Sequence, residues 1–132
     1  MNFDEYQKLA IETASPANNA TMQVADFYVY PGSEVAKSDM AGVLRMHYGA
    51  MGLCSEAGEV AGKVKKIMRD DLCNPDAKTV DALASEVGDV LWYVAYICDV
   101  IGIDMSEVAS RNLFKLRQRA SRGTLTGSGD QR

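Results

Sequence analysis

Apolar residues recur every three or four positions along most of this chain, which is the spacing of one face of an α-helix. The pattern is strongest over residues 83–101, where leucine, valine, isoleucine and cysteine share one face. A second periodic segment covers residues 38–70, in which Gly49 and Gly52 are places where a helix can bend or break. Strand-like alternation is limited to one short run, and a lone strand has no sheet to join. The pattern therefore predicts an all-α fold.

Capping residues and prolines mark the ends of the predicted helices. Asn2 followed by Glu5 has the capping-box spacing and begins a short first helix, and Pro16 is interpreted as its end. Residues 17–38 contain an aromatic run that finishes at a Pro-Gly turn, so they are interpreted as a loop insertion. The later boundaries are predicted at Asp76 or Thr79, at Asp104 and at Gly123.

Length and composition fit one helical domain. The 132 residues are 47% hydrophobic, which is enough for a single modest core. We predict about four helices over residues 1–123, followed by a Gly- and Ser-containing flexible tail over residues 124–132. No stretch reaches the roughly 18 apolar residues of a membrane span, and the N-terminus is unlike a signal peptide. A cytoplasmic protein without a membrane partner is therefore expected.

The charge of the chain is unevenly distributed. The net charge is −4, but the chain is acidic up to Ile103 and basic from Asp104 onward. A protein that binds a nucleic-acid polymer is expected to be basic overall, so that partner is not predicted. The basic end indicates a smaller anionic partner, although a solvated basic helix would have the same composition. The three cysteines form no C-x-x-C pair and are interpreted as reduced thiols in or near the core: Cys54, Cys73 and Cys98.

Two pairs of acidic residues lie within the apolar helical segments. Each pair has i, i+3 spacing, so both of its carboxylates project from one face of a helix. Residues 60–85 separate the pairs, which is enough chain for one helix to end and the next to return antiparallel. Carboxylates beside apolar side chains need a counter-charge, either lysines on neighbouring turns or a divalent cation. The pairs are Glu56 with Glu59, and Glu86 with Asp89.

The available side chains narrow the choice of cation. Carboxylate oxygens without sulfur or imidazole are the ligands of Mg²⁺, for which Mn²⁺ is a possible substitute. His47 is the only histidine, and a di-iron carboxylate bundle needs an E-x-x-H motif on each of two helices. His47 itself is interpreted as a polar neighbour of the core. A magnesium site is therefore the metal centre that the sequence favours.

Basic residues occur at helical spacing in two places. Lys63 and Lys66 continue the stripe of the first acidic pair along its helix. In the last predicted helix, Asn112, Lys115 and Arg119 fall on one side, with the spacing that a phosphate-binding stripe requires. An exposed basic face would show the same pattern, so both interpretations stay open.

The acidic pairs and their flanks also carry a family resemblance. They stand in the runs GLCSEAGEV and EVGDVLWYV, and the last helix contains N-x-x-K-x-x-x-R. Together these motifs resemble the MazG-like branch of the all-α nucleoside triphosphate pyrophosphohydrolase superfamily, found in bacteria and phages. The similarity extends from about Tyr48 to the C-terminus, which is more than half of the chain.

The resemblance implies Mg²⁺-dependent hydrolysis of a (deoxy)nucleoside triphosphate between the α- and β-phosphates, which releases a monophosphate and pyrophosphate. It implies a bundle with the two acidic helices antiparallel at its centre, completed as a homodimer or homotetramer. The location would be the bacterial cytosol, or that of the host for a phage protein. Glu59 would also orient or deprotonate the attacking water. The implied metal-binding and catalytic residues are Glu56, Glu59, Glu86 and Asp89, and the implied substrate-binding residues are Lys63, Lys66, Asn112, Lys115 and Arg119.

Two other functions stay open. An enzyme of the same fold could be restricted to one base, as a dUTPase or dCTPase is, and the motifs do not separate these. A protein of a different class would be a non-catalytic helical interaction module that retains a Mg²⁺ site. The complete set of acidic and basic residues counts against that class. The base pocket stays unassigned, because residues 17–38 depart from a minimal family member.

Overall fold

The computed structural model describes residues 1–29, 32, 34, 36–70 and 73–124. This part of the chain contains helices and no strand, so the predicted all-α fold is confirmed. None of the described helices has an apolar stretch that would cross a lipid bilayer. The helices are α1 (Phe3–Glu12), α2 (Ser15–Tyr28), α3 (Lys37–Asp70), α4 (Ala77–Val100) and α5 (Met105–Ser121).

The two longest helices, α3 and α4, pack along each other and run antiparallel. Arg45, early in α3, forms an ion pair with Asp99 near the end of α4. Lys63, late in α3, forms an ion pair with Glu86 in the first half of α4. The two acidic motifs therefore lie on antiparallel neighbours at the centre of the molecule, as the resemblance implies.

The core lies at the end of the α3–α4 pair that is far from their connection. There α1 packs on α4, α2 packs on α3, and α5 contacts α1 and α4. Tyr96 is fully buried, and its hydroxyl donates a hydrogen bond to the Asn18 side chain of α2 at 3.0 Å. The Trp92 ring stacks on Tyr96, and its N–H donates to Thr13 Oγ1 at 2.7 Å. Each such contact contributes about 1 kcal/mol, so together they hold α1 and α2 against the long helices.

The predicted helix caps are formed at two sites. The Asn2 side chain accepts a hydrogen bond from the Glu5 backbone N–H at 2.8 Å, and the Asn2 backbone N–H donates to the Glu5 carboxylate at 2.9 Å. At the start of α4, Asp76 accepts from the Thr79 backbone N–H at 2.8 Å. Caps of this kind are worth about 1 kcal/mol each. The capping signals in the sequence therefore predicted the starts of α1 and α4 correctly.

The predicted loop over residues 17–38 is wrong in its first part, because residues 17–28 belong to α2. Pro16 does not end a helix. It lies in the first turn of α2, where its missing N–H and fixed φ are tolerated. Every fourth residue from Ala17 to Ala25 is buried, so small side chains form the packed face of α2. The described chain therefore has five helices rather than about four.

Two smaller expectations can also be compared with the structure. α3 is continuous over 34 residues to Asp70, which the sequence allowed, and the possible break at its central glycines does not occur. All three cysteines are free thiols, but Cys54 and Cys73 are exposed, and only Cys98 is buried as predicted. Of the predicted flexible tail, residues 125–132 lie outside the described part of the chain.

Candidate metal centre

One carboxylate of α3 and two of α4 converge midway along the helix pair. Single oxygens of Glu56, Glu86 and Asp89 lie within 4.8 Å of one another. Glu56 and Glu86 are half-buried and Asp89 is exposed, so the cluster is open to solvent on one side. The structure thus brings together three of the four acids that were predicted as metal ligands.

Two glycines allow α3 to approach α4 closely enough to form this cluster. A Cβ atom added at Gly52 would lie 2.0 Å from Cε1 of Tyr93, and one at Gly49 would lie 2.9 Å from an α4 side-chain carbon. Both distances are too short for real contacts, so a larger side chain would force the helices apart or displace the ring. One helical turn after Gly52, Glu56 is held close enough to Asp89 for their charges to interact.

The density of negative charge affects the protonation of Glu56. Burial raises the pKa of its carboxyl above the ordinary value of 4.5, and the charges of Asp89, Glu86 and Glu59 raise that pKa further. Glu56 therefore binds a proton more readily than an isolated glutamate does. A metal ion would replace that proton and offset the same repulsion.

Glu59, the fourth predicted ligand, is not part of the cluster. It is exposed on α3, and its oxygens are not among the three that converge. Its charge still reaches Glu56, three residues before it on the helix. Glu59 therefore lies at the solvent side of the carboxylates, which suits a residue that contacts water or substrate more than a residue that encloses a cation.

A lysine contacts the carboxylates directly. Lys63 Nζ lies 3.1 Å from Glu86 Oε1, and the two side chains are 30% and 19% exposed. Lys66, one turn further along α3, is exposed. Both lysines line an open depression whose other walls include Asp70 and Thr79. Two of the predicted substrate-binding residues therefore lie beside the cluster.

The predicted phosphate-binding stripe of α5 forms one surface only in part. Asn112 and Lys115 are exposed and line a shared depression, whereas Arg119 on the same helix is only 6% exposed. In the described part of the chain, no hydrogen bond or ion pair joins Asn112 or Lys115 to the three carboxylates. Their role in binding substrate stays a prediction.

Three tyrosines next to the carboxylates had been assigned no role from the sequence. Tyr93 donates a hydrogen bond to Tyr48, and this bond, burial and the charges of Glu56 and Asp89 raise the pKa of Tyr93 to about 12. Burial and then the charge of Asp89 raise the pKa of Tyr6 on α1. The phenols of Tyr6 and Tyr93 remain protonated at neutral pH. Tyr6 can donate a hydrogen bond to an anion, whereas the proton of Tyr93 is already bonded to Tyr48. Tyr93 follows Asp89 by four residues, which is about one helical turn. This spacing is the feature of the sequence from which the position of Tyr93 beside the carboxylates could have been predicted.

The donor set of the cluster fits a hard divalent cation. All three converging ligands are carboxylate oxygens, which Mg²⁺ and Mn²⁺ prefer. No nitrogen or sulfur donor of the kind typical of zinc sites joins them from the residues that the structure describes. Mg²⁺ usually keeps several waters and binds substrate phosphates as well as one or two carboxylates. An open cluster with an exposed edge leaves room for such additional ligands.

Known proteins resemble this chain in the region of the cluster and beyond it. Residues 49–123 match the family model of the MazG nucleotide pyrophosphohydrolase domain. The chain is 39% identical over 132 residues to the "Gene 37 protein" of Mycobacterium phage L5, and the match covers 100% of both chains. No solved structure matches the chain significantly. The family match includes the three clustered carboxylates and the glycine that faces Tyr93.

Proposed function

Because this chain belongs to the MazG nucleotide pyrophosphohydrolase family, we propose that it hydrolyses (deoxy)nucleoside triphosphates between the α- and β-phosphates with Mg²⁺. The products are a nucleoside monophosphate and pyrophosphate. The observation that supports this most directly is the convergence of Glu56, Glu86 and Asp89 from two helices. Such a group of like charges is unfavourable without a cation, and nucleoside triphosphates are commonly bound together with Mg²⁺.

In this proposal Glu56, Glu86 and Asp89 hold the cation. When bound, the cation supplies positive charge and Lewis acidity at the α-phosphoryl group. Glu59, exposed beside the cluster, accepts a proton from the attacking water. As the bond from the water oxygen to the α-phosphorus forms, the bond from that phosphorus to the bridging oxygen breaks. Pyrophosphate leaves with the bridging oxygen.

Positive side chains near the cluster would bind the rest of the triphosphate. Lys63 and Lys66 share the depression next to the carboxylates and offset charge on the β- and γ-phosphates. The second proposed substrate-binding group lies on α5 and consists of Asn112, Lys115 and the buried Arg119.

Product identification tests the proposal. The wild type is incubated with Mg²⁺ and a panel of ribo- and deoxynucleoside triphosphates, and the products are separated by ion-exchange chromatography. We expect monophosphate and pyrophosphate in equal amounts, lost in Glu56→Gln and retained in Glu12→Gln, a matched change at an exposed position of α1. Release of diphosphate and orthophosphate would reject the assigned bond. Absence of turnover by a folded protein would support the interaction module, and turnover of one base only would support the restricted enzyme.

We further propose that two copies of the chain assemble through the outer face of α3. This face is apolar and exposed over most of the helix, which is uncommon on a monomer surface. Small side chains in the middle of this face would let the α3 helices of two antiparallel copies approach closely. The bulky side chains near the ends of one α3 would then pack against those of the other. The bulky residues are Val43, Met46, Val64 and Met68, and the small ones are Ala50, Cys54, Ala57 and Ala61.

Light scattering coupled to gel filtration tests the assembly. A charge in the middle of the apolar face should dissociate it, so Ala57→Glu is expected to give a monomer. Ala84→Glu makes the same change at an exposed position of α4 and should leave the assembly intact. A monomeric wild type, or dissociation by the α4 control alone, would reject the proposed interface.

A further inference from the structure

The Lys63 side chain lies between the carboxylate cluster and an open depression of the surface. On one side its ammonium lies 3.1 Å from Glu86, in the carboxylate cluster. On the other side it lines the open depression that also contains Lys66, Asp70 and Thr79. At 30% exposure, the Lys63 side chain is partly confined but has not lost contact with solvent. The ammonium can therefore turn from Glu86 into the depression without any movement of the helices.

The charges at this site are not balanced by Lys63. Three carboxylates converge within 4.8 Å, and the ammonium is paired with one of them. A metal ion bound among these carboxylates would lie close to the ammonium, and the two positive charges would repel each other. Metal binding therefore favours separation of Lys63 from Glu86.

The depression offers a new partner for the released ammonium once substrate is present. A lysine has a flexible four-carbon stem and a compact charge that can rotate between partners, unlike the planar guanidinium of arginine. The depression is open, and Lys66 and Lys78 line it together with Lys63. Its two aspartates already have partners, because Asp70 accepts hydrogen bonds from Arg69 and Asp76 accepts one from the Thr79 backbone N–H. A phosphate placed there would be near three ammonium groups.

We propose that Lys63 is an exchangeable counter-charge that couples metal binding to phosphate binding. In the metal-free protein it pairs with Glu86, and when a cation occupies the carboxylates it turns to the phosphates of the substrate. Lys63 thus weakens binding of the cation alone and strengthens binding of phosphate to the metal-loaded protein. This inference rests on the proposed function and gives Lys63, a substrate-binding residue there, a second role as counter-charge of the carboxylates before the cation binds.

The first experiment measures Mn²⁺ binding without nucleotide, by electron paramagnetic resonance of the free ion. Lys63→Met keeps an unbranched, flexible side chain that is one atom shorter, and it removes the charge. We expect this variant to bind Mn²⁺ roughly threefold to tenfold more tightly than the wild type. Lys65→Met is the matched control, because Lys65 is exposed on the same helix and has no ion pair in the described structure. Lys63→Gln provides a second neutral variant if Lys63→Met does not fold.

The second experiment measures binding of pyrophosphate, which needs no base, to the Mn²⁺-loaded proteins by calorimetry. We expect the affinity to fall roughly tenfold in Lys63→Met and to change little in Lys65→Met. Opposite effects on the two affinities show that the charge of Lys63 acts on both ligands. The exchange further requires that Lys63→Met lowers pyrophosphate affinity in the Mn²⁺-loaded protein and leaves it nearly unchanged without metal, where Lys63 pairs with Glu86. A lysine that does not move would lower both pyrophosphate affinities alike. Unchanged or weaker Mn²⁺ binding, unchanged pyrophosphate binding, or equal effects in both variants would overturn the exchange.

The two proposals fail in different ways in these experiments. A wild type that binds no Mn²⁺ would remove the metal centre and with it the proposed function. The exchange alone would be overturned if the wild type binds Mn²⁺ and hydrolyses nucleotides but Lys63→Met has no higher affinity for Mn²⁺ than the wild type.

Discussion

Two ion pairs join the same two helices, and they differ in what surrounds them. At the core end, Arg45 pairs with Asp99 at 2.7 Å, and the guanidinium also lies 5.7 Å from the centre of the Tyr96 ring. Midway along the helices, Lys63 pairs with Glu86, but two further carboxylates lie close by. The first pair balances one charge with one charge, whereas the second leaves negative charge in excess.

The difference separates a structural part of α3 and α4 from the part to which we assign the proposed function. The core end has the fully buried Tyr96, hydrogen bonds that Trp92 and Tyr96 donate to Thr13 and Asn18, and a balanced ion pair. All of these stabilise the folded state. The carboxylate cluster lowers stability in the metal-free protein, because like charges are held close together. The chain tolerates this because the core end fixes the register of the helices. In the proposed function, stability and chemistry therefore depend on different parts of one helix pair.

The largest expected effect is on activity, and it comes from a substitution in the carboxylate cluster, where negative charge is in excess. Asp89→Asn removes one of the converging charges, and we expect it to lower the rate of nucleotide hydrolysis by at least roughly a hundredfold. The same change should raise the free energy of unfolding without metal by roughly 0.5 kcal/mol, because it reduces repulsion. Hydrolysis assays and urea titrations with a chelator measure the two quantities. A variant that loses both activity and stability would contradict the proposed separation.

A second prediction concerns the contact that sets the distance between the helices. Gly52→Ala places a methyl group against the Tyr93 ring and should lower the free energy of unfolding by about 2 kcal/mol. Gly58→Ala is the matched change on the same helix, with no atom near the added methyl group. That control should raise stability by roughly 0.5 to 1 kcal/mol, since alanine is the better helix former. Equal melting temperatures for the two variants would disagree with the close packing at Gly52.

The balanced ion pair gives the third prediction, with the same chemical change as at Asp89. Asp99→Asn leaves the Arg45 charge half-buried without its partner carboxylate. We expect a loss of about 1 to 2 kcal/mol in the free energy of unfolding, a reduced value because both side chains are partly exposed. Hydrolysis per folded molecule should be unchanged. An activity loss like that of Asp89→Asn would show that the core end and the carboxylate cluster are not separate in their roles.

The smallest effect is a pH dependence of stability that arises from Glu56. Its pKa is raised above 4.5, so just above that pH the folded protein binds more protons than the unfolded chain. The free energy of unfolding therefore falls as the pH rises through this range. We expect the metal-free wild type to lose stability relative to Glu56→Gln as the pH increases from about 4.5. Parallel curves for the two proteins in urea titrations would contradict this.

The sequence predicted those parts of the fold that depend on local signals. The caps at Asn2 and Asp76 need only residues three positions apart, and both are formed. The second helix was missed because a proline can end one helix or begin the next, and Pro16 alone does not distinguish these. Its packed face also consists of small residues, which give little hydrophobic signal.

The candidate site was predictable as a set of residue types but not as an arrangement. The i, i+3 spacing placed Glu56 and Glu59 on neighbouring parts of one face, but it could not tell which of them would meet α4. That choice depends on Gly52, where the Tyr93 ring contacts the backbone of α3. In the same way, helical spacing predicted that Arg119 and Lys115 share one exposed surface. Only the tertiary structure shows that Arg119 is buried.

Trp92 gives the molecule a built-in optical probe. It is the only tryptophan in the chain, and its ring centre lies 5.4 Å from that of Tyr96 and 4.9 Å from that of Tyr93. Indole emission shifts in wavelength and intensity with the polarity and contacts of the ring. The fluorescence of unlabelled protein should therefore report the docking of α1 through Thr13 and, through Tyr93, a change at the carboxylates.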